Sequence, residues 1–162
     1  MSEPIAYFIT WTCRGAWLHG DLRGSFQRIT GAKRAEALAP DPQLRERQRE
    51  SLKHDVIVLN ASSRRLVESA LREACEHRSW ILHALDVRSN HVHVVVSSPG
   101  CTPERAMQQL KSRATGALRD DGVLARDQQP WTRHGSTRYL WKHEDFAGAV
   151  EYVNDWQDRS RE

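Results

Sequence analysis

Two histidines one residue apart, His91 and His93, stand at the head of the hydrophobic run "SNHVHVVVSSP" (89–99). In an extended strand, side chains two apart point to the same face, so both imidazoles share one side while Val92 and Val94 take the other. Twice the rise of a strand separates them by about 7 Å along the chain, which allows both rings to converge on one divalent cation. A bare H-x-H pair also occurs as two ordinary polar residues on a solvent-facing side, so the pair needs company. The late segment "AVEYVNDWQD" supplies it, with Tyr152, Asp155 and Gln157 within two turns of a helix. Paired imidazoles can hold a metal, a phenol can attack phosphorus, and a carboxamide or carboxylate can complete the ligand set.

Those groups must be positioned by strands and helices that the hydrophobic pattern makes visible. "IAYFITWT" (5–12) is rich in β-branched and aromatic residues and predicts a strand. The following polar stretch, about 13–54, predicts an extended loop with a short helix near Pro42–Leu52; "DVIVLN" (55–60) is a candidate short strand. "ASSRRLVESALREACEHRS" spaces Leu66, Ala70, Leu71, Ala74 and Cys75 as a helix, with serines placed to cap it. "WILHALDVRS" and "HVHVVVSS" predict two strands joined by a tight turn at Ser89-Asn90. "TPERAMQQLKSRATGALRD" opens with a Thr cap, Pro at the first helical position and Glu in the first turn, and predicts a second helix. "STRYLWK" (136–142) predicts a fourth strand. A last helix over about 144–159 carries Phe146, Ala149, Val150 and Val153 as its apolar stripe. The order strand, helix, strand, strand, helix, strand, then an extra helix predicts an α+β, ferredoxin-like (RRM-like) βαββαβ fold. Its antiparallel sheet carries helices on one face, and the tyrosine helix is appended.

Composition narrows the setting. The chain has 162 residues and a net charge of +3, which suits one globular domain spanning 1–162. No apolar run approaches the roughly 18 residues of a membrane span, and the N-terminus shows no signal-peptide pattern. The odd and scattered Cys13, Cys75 and Cys101 fit reduced thiols in the cytoplasm better than a disulfide framework. Charge is uneven: basic residues outnumber acidic ones eight to four over 101–142, and are outnumbered two to six over 143–162. The basic stretch, with Trp131, Tyr139 and Trp141, suits a phosphate backbone with bases to stack on, or a merely solvated face.

Three stretches together, "YFITWTCRGAWLHGDLRGS", "SNHVHVVVSSP" and "RYLWKHEDFAGAVEYVNDWQ", resemble the HUH single-tyrosine transposases, in particular the REP-associated tyrosine transposase branch. The resemblance implies action on single-stranded DNA, often beside a hairpin, through a catalytic tyrosine and a His-His metal pair. His91 and His93 match the metal-binding histidines and Tyr152 matches the nucleophile. Many relatives carry glutamine four residues after the tyrosine; here that position is Trp156, and Gln157 lies about 140° round the helix from Tyr152. Gln157 is the favoured third ligand, with Asp155, three residues from the tyrosine, as the alternative.

The expected chemistry is attack of Tyr152 on a phosphodiester to give a 5′-phosphotyrosine link and a free 3′-hydroxyl. Mg²⁺ or Mn²⁺ would neutralise developing charge. Candidate DNA contacts are Trp17, His19 and Arg23 in the first loop, Lys111 and Arg113 on the second helix, and Arg133, His134 and Arg138 before and in the fourth strand. The resemblance also implies a homodimer. Two other readings stay open: a catalytically inactive, domesticated single-stranded nucleic-acid-binding protein on the same fold, and a small hydrolase using the H-x-H pair with water.

Overall fold

The computed structural model describes residues 2–15, 25–28, 35–38, 42–43 and 57–155, with backbone alone described for 25–28 and 35–38. The strands are β1 (Ala6–Thr12), β2 (Ser25–Arg28), β3 (Ala35–Leu38), β4 (Ile81–Val87), β5 (His91–Ser97) and β6 (Ser136–Leu140). The helices are α1 (Ala61–His77), α2 (Pro103–Asp120) and α3 (His143–Asp155).

The main sheet has the order β4-β5-β1-β6, antiparallel throughout. With α1 and α2 as the two crossovers, this is the ferredoxin-like arrangement predicted from the element order. The central pair sets the register that matters: Thr10 lies opposite His93, Trp11 opposite Val92 and Thr12 opposite His91. On the other side of β1, Phe8 lies opposite Arg138. The β4–β5 pairing shifts between Leu82 and Ala84, a β-bulge that leaves Asp86 opposite His93 and Leu85 opposite Val94.

Alternation along the strands builds two separate cores. Ile9, Trp11, Val92, Val94 and Val96 pack beneath Val67, Leu71 and Ala74 of α1 and Ala106, Leu110 and Ala114 of α2. The smaller core lies against α3, where Ala6, Ala84, Val95 and Leu140 meet Ala149 and Val153, flanked by Phe8, Phe146 and Val150. The predicted apolar stripe of α3 is thus the one that is buried. The first two helices share one face, and the tyrosine helix covers the opposite face, the one that carries the histidines.

Local signals explain most element ends. Thr102 caps α2 by accepting from the Arg105 N–H at 3.3 Å, with Pro103 in the first turn. The cap of α1 is Asn60, whose side chain accepts from the Ser63 N–H at 2.8 Å; the serines expected to cap it lie inside the helix. The hairpin between β4 and β5 is closed by Arg88 N–H donating to His91 O at 2.8 Å. The polar stretch after β1 contains a two-stranded antiparallel sheet, β2 with β3, which its Gly- and charge-rich composition concealed. Residues 57–60 form no strand; Leu59 N–H instead donates to Ser89 O at 2.7 Å, tying the entry to α1 to the turn before His91. The expected short helix near Pro42–Leu52 lies outside the described residues except for Pro42 and Gln43, which are helical. Cys13, Cys75 and Cys101 are free thiols, and burial pushes Cys13 up to about 12 and Cys75 up to about 11. Among the described residues no helix is long and apolar enough to cross a membrane.

Candidate active site at the histidine pair

Because β5 alternates, His91 and His93 both project from the α3 side of the sheet while Val92 and Val94 are fully buried on the other. The sheet twist and side-chain rotamers bring their ring centroids to 4.7 Å. Each ring is held through one nitrogen. His91 Nδ1 lies 2.6 Å from the Asn90 Oδ1 acceptor, and His93 Nδ1 lies 2.9 Å from Thr10 Oγ1 on the neighbouring strand. An Nδ1–H that donates to oxygen leaves the Nε2 lone pair free, the arrangement by which outer groups orient metal-binding histidines.

Electrostatics keep both rings neutral. Burial pushes His93 down to about 4, helped by His91 and by the Arg88 guanidinium. Burial, then Arg88, lowers His91 as well. Arg88 is itself anchored by Asp86, with Nε 3.5 Å from Oδ2. Burial raises the Asp86 carboxyl while Arg88 and Arg64 oppose the rise. Neutral imidazoles are the form that binds metal ions.

Tyr152 reaches the same place from α3. Its ring centroid is 5.7 Å from that of His93 and 6.1 Å from that of Phe8, both edge-on. The side chain is 42% exposed, so the ring packs on the site without being sealed into it. Between α3 and the sheet lies an open cleft of about 440 Å³. Phe8, Thr10 and His93 line its sheet side, Gly148, Ala149 and Tyr152 its helix side, and Arg138, Glu144 and Asp145 its polar portion. Arg138 Nη2 stands 3.9 Å from Asp145 Oδ1 across it.

The other residues singled out from sequence fall in different places. Arg138 borders the cleft. Arg133 and His134 are exposed on the segment leading into β6. Lys111 is half-buried and donates from Nζ to Thr132 O at 2.9 Å and His134 O at 3.4 Å; burial lowers it. Those bonds give it a tethering part in the fold. Arg113 lines a separate hollow with Glu73, Glu76 and His77, residues of α1. Trp131, grouped by sequence with the exposed aromatics, is buried instead. It meets Trp11 edge-on at 6.0 Å and donates from Nε1 to Thr115 Oγ1 at 3.1 Å, whereas Tyr139 and Trp141 are exposed and stacked on each other. Trp17, His19, Arg23 and Gln157 lie outside the described residues.

Several residues near the histidines were not found from sequence. Asn90 had a usable signal, since it immediately precedes the H-x-H pair. Thr10, Phe8 and Asp86 had none until the strand register was known, because their neighbours come from distant parts of the chain. Glu144, Asp145 and Gly148 belong to a helix whose polar side was legible but whose orientation was not.

The donor set fits a divalent metal as far as it extends: two neutral, oriented imidazoles on one face beside open space. Among the described residues no group of three His, Cys, Asp or Glu is placed to hold an ion, so Asp155 does not join His91 and His93 to form one.

Comparison with known proteins shows the family and the fold. The family model described as "Transposase IS200 like" matches residues 51–155. No curated protein matches the chain. Among solved structures, a REP-associated tyrosine transposase bound to a REP hairpin is similar at 13% identity and a TM-score of 0.54. That match covers 94% of this chain and 68% of the other, and it shows a shared fold. A protein of Deinococcus radiodurans R1, provisionally assigned as a transposase, aligns at 12% identity and a TM-score of 0.49, covering 96% and 92%. The family match spans both histidines, both crossover helices and the tyrosine helix, and on it the chain belongs to the IS200-like transposases.

Proposed function

We propose that this transposase nicks and rejoins single-stranded DNA through Tyr152, on hairpin-flanked or palindromic substrates. The observation that carries the reading is the packing of the Tyr152 ring 5.7 Å from His93, which is itself 4.7 Å from His91. A nucleophile and a pair of metal-type ligands thus meet although they come from a strand and a helix about sixty residues apart in the chain. The hairpin is suggested by the structurally similar protein, which was solved on a REP hairpin.

In the proposed reaction the Tyr152 oxygen attacks a phosphodiester and loses its proton. A phosphorus–oxygen bond to the tyrosine forms, and the bond to the 3′-oxygen breaks. The 3′-oxygen takes up a proton and leaves as a hydroxyl, while the 5′-phosphate stays on the protein. The covalent link conserves the energy of the phosphodiester, so a second 3′-hydroxyl can reverse the step without a nucleotide cofactor. His91 and His93, with Gln157 as third ligand, would hold Mg²⁺ or Mn²⁺, which supplies charge neutralisation at the phosphate. Nitrogen ligands favour Mn²⁺ over Mg²⁺. Asn90 and Thr10 keep the imidazoles aimed, and Arg88 disfavours their protonation. Exposed Arg133 and His134, with Arg138 at the cleft, provide contacts to the phosphate backbone; Trp17, His19 and Arg23 extend them from the first loop. The functional unit is a homodimer in the cytoplasm, where its free thiols stay reduced.

The test is a denaturing gel of protein with single-stranded hairpin DNA and Mn²⁺. Wild-type protein is expected to form a covalent adduct. Tyr152→Phe should abolish the adduct while retaining DNA binding, and an adduct that survives the change removes Tyr152 from this part. Free cleaved ends without adduct would instead indicate hydrolysis by water.

A further inference from the structure

We infer that the cleft beside Tyr152 is a nucleobase subsite, receiving the unstacked base of a nucleotide adjacent to the phosphate that Tyr152 attacks. The inference rests on the nucleophile reading for the position of the phosphate; the shape and chemistry of the cleft are independent of it.

Three observations favour a base over the other parts of a DNA strand. The first is shape. The cleft lies between a sheet and a helix, with the Phe8 ring on the sheet side and Gly148 and Ala149 on the helix side. Its volume of about 440 Å³ lies in the range of small-ligand pockets and admits a planar ring system. An aromatic wall suits a nucleobase whatever its sequence, because every base has a π-face. Enzymes that do chemistry on a base hold it, extruded, in a pocket of this kind, so the cleft's size and walls are compatible with an unstacked base.

The second is charge. Glu144 and Asp145 set two carboxylates against the single guanidinium of Arg138. Two carboxylates repel a phosphate, yet they accept hydrogen bonds from the amino and ring N–H groups at a base edge. Arg138 donates to ring nitrogens and carbonyl oxygens. The cleft therefore complements an uncharged ligand with both donors and acceptors.

The third is the glycine. Gly148 precedes Tyr152 by one helical turn and so lies on the same side of α3. An added Cβ there would meet nothing within 4 Å, so local backbone packing does not require a glycine. Glycine is unfavourable in a helix interior, and here its missing side chain widens the space beside the nucleophile.

The glycine also provides the test. Gly148→Ala and Gly148→Leu both replace glycine with better helix formers, so α3 is expected to persist, and only leucine fills the cleft. The four homodinucleotides of DNA are titrated into ¹⁵N-labelled protein without metal, and amide shifts are followed. At least one should move the amides of Gly148, Ala149 and Phe8. Gly148→Leu should weaken that response about tenfold or more, the scale of a lost base–aromatic stack, while Gly148→Ala retains it. Shifts confined to the Arg133–His134 segment, or equal in Gly148→Leu, would overturn the subsite. Adduct formation on a random-sequence single-stranded DNA pool with Mn²⁺ separates the two readings. An adduct formed equally well by Gly148→Leu overturns the subsite and leaves Tyr152 as nucleophile. Absence of any adduct, with leucine-sensitive shifts in the cleft, keeps the subsite and strikes the nucleophile.

Discussion

The two faces of the main sheet are built from the same strands and have opposite characters. Beneath α1 and α2, Ile9, Trp11, Val92, Val94 and Val96 are essentially inaccessible and apolar. Beneath α3, the alternate residues Phe8, Thr10, His91 and His93 are only partly covered, and α3 contributes just Ala149 and Val153 as buried side chains. One face gives rigidity, and the other presents ligands on that rigid base. Scaffold and chemistry are thus interleaved at single-residue spacing, so a change at one position can affect either stability or the site, depending on parity.

The largest expected effects break this contrast directly. Ile9→Ala should lose about 2–5 kcal/mol of stability by opening a cavity on the dry face. His93→Ala, one strand over on the open face, should lose much less stability yet lose Mn²⁺-dependent cleavage. Denaturant unfolding beside the adduct assay checks both; equal destabilisation would erase the distinction between the faces. Gly135→Ala comes next. A Cβ there would collide with the Thr10 carbonyl oxygen and stand 2.6 Å from Met107 Sδ, so overpacking should cost about 1–3 kcal/mol in the same unfolding assay.

Smaller effects sharpen the comparison on the open face. Asn90→Ala removes the acceptor for His91 Nδ1 and should weaken Mn²⁺ binding about 10–100-fold by calorimetry, with the unfolding midpoint little changed. Unaltered affinity would show that Asn90 does not orient the ring. The smallest effect is on pH. His93 is lowered from 6.5 to about 4, so the unfolded chain binds more protons between those values. The contribution is full above about pH 6.5 and is lost as pH falls toward 4. His93→Asn should flatten that part of the stability profile, and an unchanged slope would assign it to other groups.

How much of this was legible in sequence follows from the range of each signal. The helices and strands announced themselves through local periodicity, and the H-x-H pair through parity alone. The cap at Asn60 was missed because two serines just beyond it offered the same chemistry. The β2–β3 pairing was missed because its strands are short and lie in a polar stretch. Trp131 was misjudged because a tryptophan between polar residues looks exposed until Trp11 is known to lie against it. The cleft was beyond reach from sequence: it depends on which face α3 covers, and no local pattern states that.

The bulge between Leu82 and Ala84 has a consequence for how this sequence can vary. It places one extra residue in β4 and so determines that Asp86, not Leu85, stands opposite His93. Pairing that extra residue regularly, with the outer pairs kept in step, would slide Leu85 into line with the imidazole of His93 and move Asp86 toward Val92. A leucine would then be stranded beside the ligands and a carboxylate pressed into the hydrocarbon interior. Ordinary substitutions in this strand can be graded one by one, but losing the bulge while keeping its extra residue inverts the strand's inside and outside at a stroke.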